Sequence, residues 1–83
     1  MSNIINVRLT ENDQFAVTDP DTGIMHVYNS ILFHDPRFIV DLSVKNFFCE
    51  AFPGKTEWEC SADALERIHS ITDFNCLNDE VRF

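Results

Sequence analysis

In the first 30 residues, two segments alternate between apolar and polar positions, residues 4–9 and 14–18, and a third segment, residues 24–29, follows them after a turn. A period of two is typical of a half-buried β-strand. Turn-forming residues separate the segments, and the stronger turn ends on Gly23, which can adopt a positive φ. The side chains expected to face the core are Ile5, Val7, Leu9, Phe15 and Val17. The pattern therefore predicts a three-stranded antiparallel β-meander.

Residues 35–52 carry the start and stop signals of one long helix. Asp35 is a favoured N-cap, and Pro36 suits the first helical position because an N–H there would have no partner. Pro53 and Gly54 then end the helix, since proline cannot continue it. Successive residues lie about 100° apart around a helix, which produces two apolar faces here. The broad face holds Val40, Val44, Phe47, Phe48 and Ala51, and the narrow face holds Phe38, Leu42 and Cys49.

A helix that is apolar on two sides must be covered on both. The broad face is expected to pack against the sheet. The narrow face has two interpretations. Another part of the same chain covers it, or it contacts a partner protein or a second copy of the chain.

A second helix is predicted for residues 62–72, which follow a good N-cap, Ser61. Its apolar stripe would consist of Leu65, Ile68 and Ile71. Residues 55–60 are expected to be a short polar link between the two helices. The last part of the chain fits either a short helix or an extended tail that docks through Val81 and Phe83.

Strands followed by helices predict an α+β fold, with a three-stranded antiparallel meander followed by two helices packed on one face of the sheet. No repeat or linker divides the chain, so residues 1–83 are expected to form one domain. The meander would occupy residues 1–30 and the helical part residues 31–83.

The chain is strongly acidic, with 14 acidic residues against six basic ones and a formal net charge of -8 at pH 7. This charge argues against direct binding to nucleic acid or to an anionic membrane, because both require a basic surface. Two interpretations of the acidity remain, solubility and attraction to a basic partner. The chain has no signal-peptide pattern and no apolar run of the roughly 20 residues that span a bilayer. It is therefore expected in the cytoplasm, or in the host cytoplasm if it is viral.

The residues that could support chemistry do not occur in known patterns. The three cysteines and three histidines are Cys49, Cys60, Cys76, His26, His34 and His69. Structural zinc sites bring their ligands in close pairs, whereas the nearest cysteines here are eleven positions apart. The chain also lacks a glycine-rich phosphate loop. We therefore expect no metal, no cofactor, no catalytic residue and no enzymatic activity.

The leading hypothesis is a protein that binds and inhibits another protein with a basic surface. Trp58, flanked by Glu57 and Glu59, is a candidate anchor, because tryptophan is enriched at binding hot spots; alternatively, Trp58 packs over the core. The other candidate contact residues are Asp13, Asp19, Asp21 and Asp73. In size and charge, though by no motif, the chain resembles the small acidic inhibitors of phages and mobile elements, which include anti-CRISPR proteins, DNA mimics and toxin-neutralising immunity proteins. That resemblance implies a nucleic-acid-handling target.

The alternative hypothesis is a self-associating structural or accessory protein. Its homodimer would form through the narrow helix face of Phe38, Leu42 and Cys49, in an interface where each copy contributes the same residues.

Overall fold

The computed structural model of the protein describes the backbone of residues 2–81 and the side chains of residues 2–77. The elements in chain order are β1 (Ile4–Leu9), β2 (Gln14–Thr18), β3 (Met25–Asn29), a 3₁₀ helix (Ser30–Phe33), α1 (Asp41–Glu50), β4 (Glu57–Cys60) and α2 (Ala62–Val81). The α+β fold with a meander and two helices is confirmed. The fourth strand is an addition to the predicted sheet.

The four strands form one mixed sheet in the order β3-β2-β1-β4. β1 is antiparallel to β2 and parallel to β4. The register places Val7 opposite both Val17 and Cys60, so these three side chains lie on one face. That face also carries the buried Ile5 and Phe15, and the two helices cover it. The prediction of which strand residues face the core is therefore confirmed.

The segment predicted as a polar link contains β4. Its four residues include two glutamates, which are depleted in strands, so the local pattern gave little indication of a strand. Two parallel strands require a crossover connection. Here α1 provides that crossover, because it lies between β3 at one edge of the sheet and β4 at the other. β4 therefore depends on long-range pairing with β1.

The predicted long helix is wrong in its first turn and a half, because α1 begins six positions after the predicted N-cap. The Asp35 carboxylate instead accepts from the Arg37 N–H at 3.0 Å, and the Phe38 N–H donates to the Asp35 carbonyl at 2.9 Å. These bonds close a tight turn. Val40 then follows with extended angles, φ −137° and ψ 154°, a conformation that suits a β-branched residue. The predicted stop is confirmed, since the turn after α1 contains Gly54 with φ +82°.

The late start of α1 changes which apolar residues are buried. Val44 and Phe48 face the core as predicted, whereas Val40 and Ala51 are exposed. Phe38 lies before the helix and is 2 % exposed. Buried positions thus come from α1 and from the segment that precedes it.

An amide clamp holds that preceding segment against α2. The Asn75 side chain donates to the carbonyls of Phe33 and Phe38, at 2.7 Å each. Asn75 is itself buried, so its amide would lose both acceptors if the segment moved away. The Phe33 carbonyl would keep only its bond from the Asp35 N–H, at 2.9 Å. The clamp fixes the path of the chain between β3 and α1.

Aromatic rings fill most of the space between the sheet and the helices. Phe33 lies at their centre, with its ring centroid 5.1 Å from that of Phe38 and 5.2 Å from that of Phe48. Phe15 and Phe47 follow at 5.6 and 5.5 Å. These separations are typical of favourable edge-to-face and tilted ring pairs.

α2 begins at the predicted residue and is longer than predicted. It starts at Ala62, directly after Ser61, and continues to Val81. Of the two interpretations of the last part of the chain, the structure therefore supports a helix, continuous with α2. The suggested docking of the Val81 side chain and of Phe83 lies outside the described residues.

Two residues of the predicted broad helix face give a stability test. Phe48 is 0 % exposed and Val40 is 54 % exposed. We expect Phe48→Ala to lower the free energy of unfolding by about 3 kcal/mol or more, because it leaves a cavity among aromatic rings. Val40→Ala should change it by less than about 0.5 kcal/mol. Urea unfolding followed by circular dichroism measures both, and equal effects would contradict the burial described here.

Candidate protein-binding surface

An exposed acidic surface lies along the outer side of α2. We define the α2 outer face as Asp63, Glu66, Ser70, Asp73, Phe74 and Leu77, all of which are exposed. At about 100° per residue these positions span roughly 100° of the helix circumference. The opposite side of the helix carries the buried Ala64, Ile68, Ile71 and Asn75. The face therefore combines three carboxylates with two apolar side chains.

None of these three carboxylates makes an ion pair with a base among the side chains of residues 2–77. Asp63 accepts a hydrogen bond from the Ser61 hydroxyl and another from the Ala64 N–H. These two bonds lower the pKa of Asp63, and the carboxylate also suits the positive end of the helix dipole. Glu66 and Asp73 are therefore the carboxylates of this face that are available to a partner.

Asp13, a predicted contact residue, is instead part of an internal ion pair. Its carboxylate accepts from the Arg67 guanidinium at 2.9 and 3.0 Å and from the Ser30 hydroxyl at 2.5 Å. The bonds from Arg67, followed by the one from Ser30, lower the pKa of Asp13. Asp13 also has a left-handed backbone, with φ 59°. It joins the β1–β2 turn to the 3₁₀ helix and to α2.

Asp19 and Asp21, two further predicted contact residues, bind the ammonium of Lys55. The Nζ atom lies 3.2 Å from the Asp19 carboxylate, 2.5 Å from the Asp21 carboxylate and 2.5 Å from the Ser2 carbonyl. The hydrogen bond to Asp21 is the main cause that raises the pKa of Lys55. Burial alone would raise the pKa of Asp19, but hydrogen bonds from the Asp21 N–H and from Lys55 lower it overall. Asp19 is buried and cannot serve as a surface contact.

Trp58 does not form an aromatic anchor surrounded by carboxylates. Strand alternation places Trp58 on the core face, opposite Ile5, and Glu59 on the open face of the sheet. Glu57, at the start of β4, reaches Lys45 of α1. The Trp58 ring lies 6.4 Å from that of Phe48 and is half-buried. The interpretation that Trp58 packs over the core matches this geometry.

The two flanking glutamates differ in their surroundings. Glu57 lies 3.4 Å from the Lys45 ammonium, whereas Glu59 is exposed and makes no ion pair among the described side chains. Of the seven predicted contact residues, Glu59 and Asp73 therefore remain free acidic groups at the surface.

The predicted narrow helix face does not exist as a single surface. Phe38 is buried and lies outside α1, Leu42 is exposed, and Cys49 is half-buried against the core. The Cys49 thiol lies 3.9 Å from the Glu57 carbonyl, in hydrogen-bonding geometry. A second copy could not contact these three residues at one interface, because Phe38 would have to leave the aromatic core to reach that interface.

Two of the three cysteine thiols, those of Cys49 and Cys60, are poorly placed for nucleophilic chemistry. Burial raises the pKa of Cys60 to about 11 and also raises that of Cys49, so both stay protonated near neutral pH. Among the described residues, no group of three His, Cys, Asp or Glu side chains could hold a metal ion. In the same part of the chain, neither helix is both long and apolar enough to cross a bilayer.

The acidic groups that sequence reasoning overlooked, Asp63 and Glu66, could have been found by projecting the whole of α2. On the shorter helix predicted from the sequence they lie in the first turns, where a favourable interaction with the helix dipole already accounts for them. Only the extension beyond residue 72 brings Asp73, Phe74 and Leu77 onto the same face.

The ion pair of Asp13 gives a pH-dependent test. The folded state lowers the pKa of this carboxyl below its usual 3.8, so the unfolded chain binds the proton more tightly. The stability that the pair contributes is therefore present above about pH 4 and is lost as the pH falls through the folded pKa. The pair is partly exposed, so we expect Asp13→Asn to cost about 1 kcal/mol or less at neutral pH. Asparagine tolerates the left-handed backbone of this position.

The same loss should shrink as the pH falls below about 4, because the unfolded wild-type carboxyl binds its proton first and the folded one follows at a lower pH. Glu11→Gln removes an exposed acid from the same turn and is the matched control, because Glu11 makes no ion pair with the side chains of residues 2–77. Urea unfolding at a series of pH values checks the expectation. A difference between Asp13→Asn and wild type that stays constant down to pH values well below 4 would contradict it.

Comparisons with protein-family models, with curated protein sequences and with solved structures found no match for this chain. The surface described above therefore has to be interpreted from its own residues.

Proposed function

We propose that this protein is not an enzyme and acts in the cytoplasm by binding and blocking another protein that presents a basic surface. The proposed target handles nucleic acid, and the proposed role is an anti-defence function of the anti-CRISPR type, carried by a phage or mobile element. The observation that supports this proposal is the α2 outer face, where free carboxylates lie beside exposed apolar side chains.

The charge distribution favours a basic partner. Four basic side chains already pair with acids of the same chain, namely Arg37 with Asp35, Lys45 with Glu57, Lys55 with Asp19 and Asp21, and Arg67 with Asp13. Among the described side chains, six acids outside these pairs are exposed, and they carry much of the chain's net charge of -8: Glu11, Glu50, Glu59, Asp63, Glu66 and Asp73. The negative electrostatic field of these carboxylates speeds encounter with a positively charged surface and disfavours binding of acidic competitors.

Apolar anchors supply most of the affinity in protein interfaces. On the α2 outer face Phe74 is 52 % exposed and Leu77 is 61 % exposed. Phe74 directly follows Asp73, and its ring lies 5.7 Å from that of His34. We assign to Phe74 the anchor role that the sequence had suggested for Trp58.

The overall test is affinity capture of the tagged protein from native-host lysate, with washes at low and at high salt. The proposal expects one basic protein that is retained at low salt, released at high salt, and inhibited in its own assay by the purified chain. A captured protein whose activity is unaffected by the chain would contradict the inhibitory role.

Neutralising the α2 outer face tests the electrostatic part of the proposal. The double variant Glu66→Gln with Asp73→Asn should bind the captured protein several-fold more weakly at low salt and lose most of the salt dependence, because both charges face the partner. The double variant Glu11→Gln with Glu50→Gln removes the same charge from exposed sites elsewhere. Titration calorimetry at two salt concentrations compares the variants. Equal weakening by both would place the contact outside α2.

Truncating the anchor tests the apolar part. Phe74→Ala should cost about 2 kcal/mol of binding free energy, as expected for an aromatic hot spot. Its stability should stay near that of the wild type, because more than half of the side chain is already exposed. Leu42→Ala is the matched control, since Leu42 has a similar exposure on a different helix. Wild-type affinity in Phe74→Ala would remove this residue from the interface.

A further inference from the structure

β3 is an edge strand whose outer side is open. Backbone bonds from the Asp19 N–H to the Ile24 carbonyl and from the Ser30 N–H to the Asp13 carbonyl flank the β2–β3 ladder. In an antiparallel pair, the residues that bond to the neighbouring strand alternate with those that point away from it. The backbone N–H and C=O groups of Met25 and Val27 therefore point away from β2, towards solvent.

This edge lacks the sequence and structural features that usually prevent an exposed strand from pairing with another chain. Natural edges are interrupted by charged residues, proline or bulges. From residue 22 to residue 34 the chain contains no Asp, Glu, Lys, Arg or Pro. The pairing of β3 with β2 runs through five consecutive residue pairs without a bulge. The strand is thus regular, uncharged and free to accept another strand.

The side chains along the edge are apolar where they meet solvent. Met25 is 57 % exposed and Val27 is 46 % exposed, and both lie on the open face of the sheet, away from the helices. Val27 lies opposite Ala16 in the register, so the exposed apolar surface continues from β3 onto β2. A strand added at this edge would cover it.

The charge distribution favours a second copy of this chain as the occupant. A basic partner would find no carboxylate in residues 22–34, whereas a copy approaching most other surfaces would meet repulsion, given a net charge of -8 on each chain. At this edge two copies present no charge to each other. We propose that β3 pairs antiparallel with β3 of a second copy and joins two four-stranded sheets into one.

A two-fold axis at Val27 satisfies the outward backbone groups. Each Val27 then donates to and accepts from the other Val27, and each Met25 lies opposite Asn29 of the other copy. Met25, Val27 and Asn29 are the alternate residues of β3 whose backbone groups point away from β2, so both pairings form in one register. An interface of this kind is self-complementary, as a closed dimer requires. It does not rest on the proposed function, because it uses β3 and leaves the α2 outer face free.

The first measurement is sedimentation velocity of the full chain at rising concentration. The monomer mass is 9.6 kDa, and we expect a shift to twice that mass. Val27→Lys should weaken the dimer by about tenfold or more, because it places two ammonium groups directly opposite each other. Thr18→Lys is the matched control. It adds the same charge to the same open face, but on the interior strand β2.

Both variants lower the net negative charge equally, so a general charge effect would strengthen both dimers alike. Weakening confined to Val27→Lys supports the proposal. A wild-type chain that stays monomeric up to about 1 mM would overturn it, and so would equal dimerisation of the two variants. A dimer that survives Val27→Lys but is lost in Leu42→Glu would overturn it in favour of a helix contact.

Amide hydrogen exchange gives an independent readout that needs no variant. The amides of Met25 and Val27 should be protected at concentrations where the dimer forms and should exchange freely when the sample is diluted. The inward amides of His26 and Tyr28 should be protected at both concentrations, because they bond to β2. Outward amides that exchange at the same rate at both concentrations would exclude pairing at this edge.

Discussion

The cluster of rings around Phe33 is the interaction on which the rest of the structure depends. A domain of 83 residues buries a limited fraction of its surface, and a four-stranded sheet covered by two helices offers little depth. Phe33 contacts rings from β2, from α1 and from the segment before α1. Because its ring touches every layer, the 3₁₀ helix that carries it has to lie over the sheet.

The Asn75 clamp makes the position of that ring specific. Apolar contacts alone tolerate small shifts of the connecting segment, whereas two buried carbonyls bonded to one amide do not. The clamp also explains why α2 continues beyond its predicted end. Its last described turns hold the amide against the connection, and the same extension brings Phe74 and Leu77 to the outer side of the helix.

The elements that could be predicted from the sequence are those that depend on interactions between residues close together in the chain. The meander strands depend on alternation and on local turns, and their limits were predicted to within one residue. β4 depends on pairing with a strand more than 50 positions earlier, and the polar–apolar alternation of its four residues is too short to predict a strand without that pairing. At the start of α1, a favourable capping pair, Asp35 and Pro36, suggested a helix. The tight turn forms instead of the helix because it lets Phe38 pack in the ring cluster.

The residues of the candidate site were likewise predictable only where their roles do not depend on long-range contacts. Asp73 was predicted as a surface acid and is exposed. The roles of Asp13 and Asp19 could not be foreseen, because their partners Arg67 and Lys55 lie 54 and 36 positions away. An acidic composition therefore says little about which carboxylates are available to a partner. Only the fold separates those that neutralise internal bases from those that face outward.

The two proposed surfaces are compatible in geometry, and their combination has a consequence of its own. An antiparallel pairing of two β3 edges requires a two-fold axis perpendicular to the joined sheet. Such an axis reverses strand direction but keeps each helical layer on the same face of the sheet. α2 packs near β1, with β2 between β1 and the seam. Both α2 outer faces would therefore point to the same side, where a target with repeated basic elements could engage them together and gain avidity without any new contact.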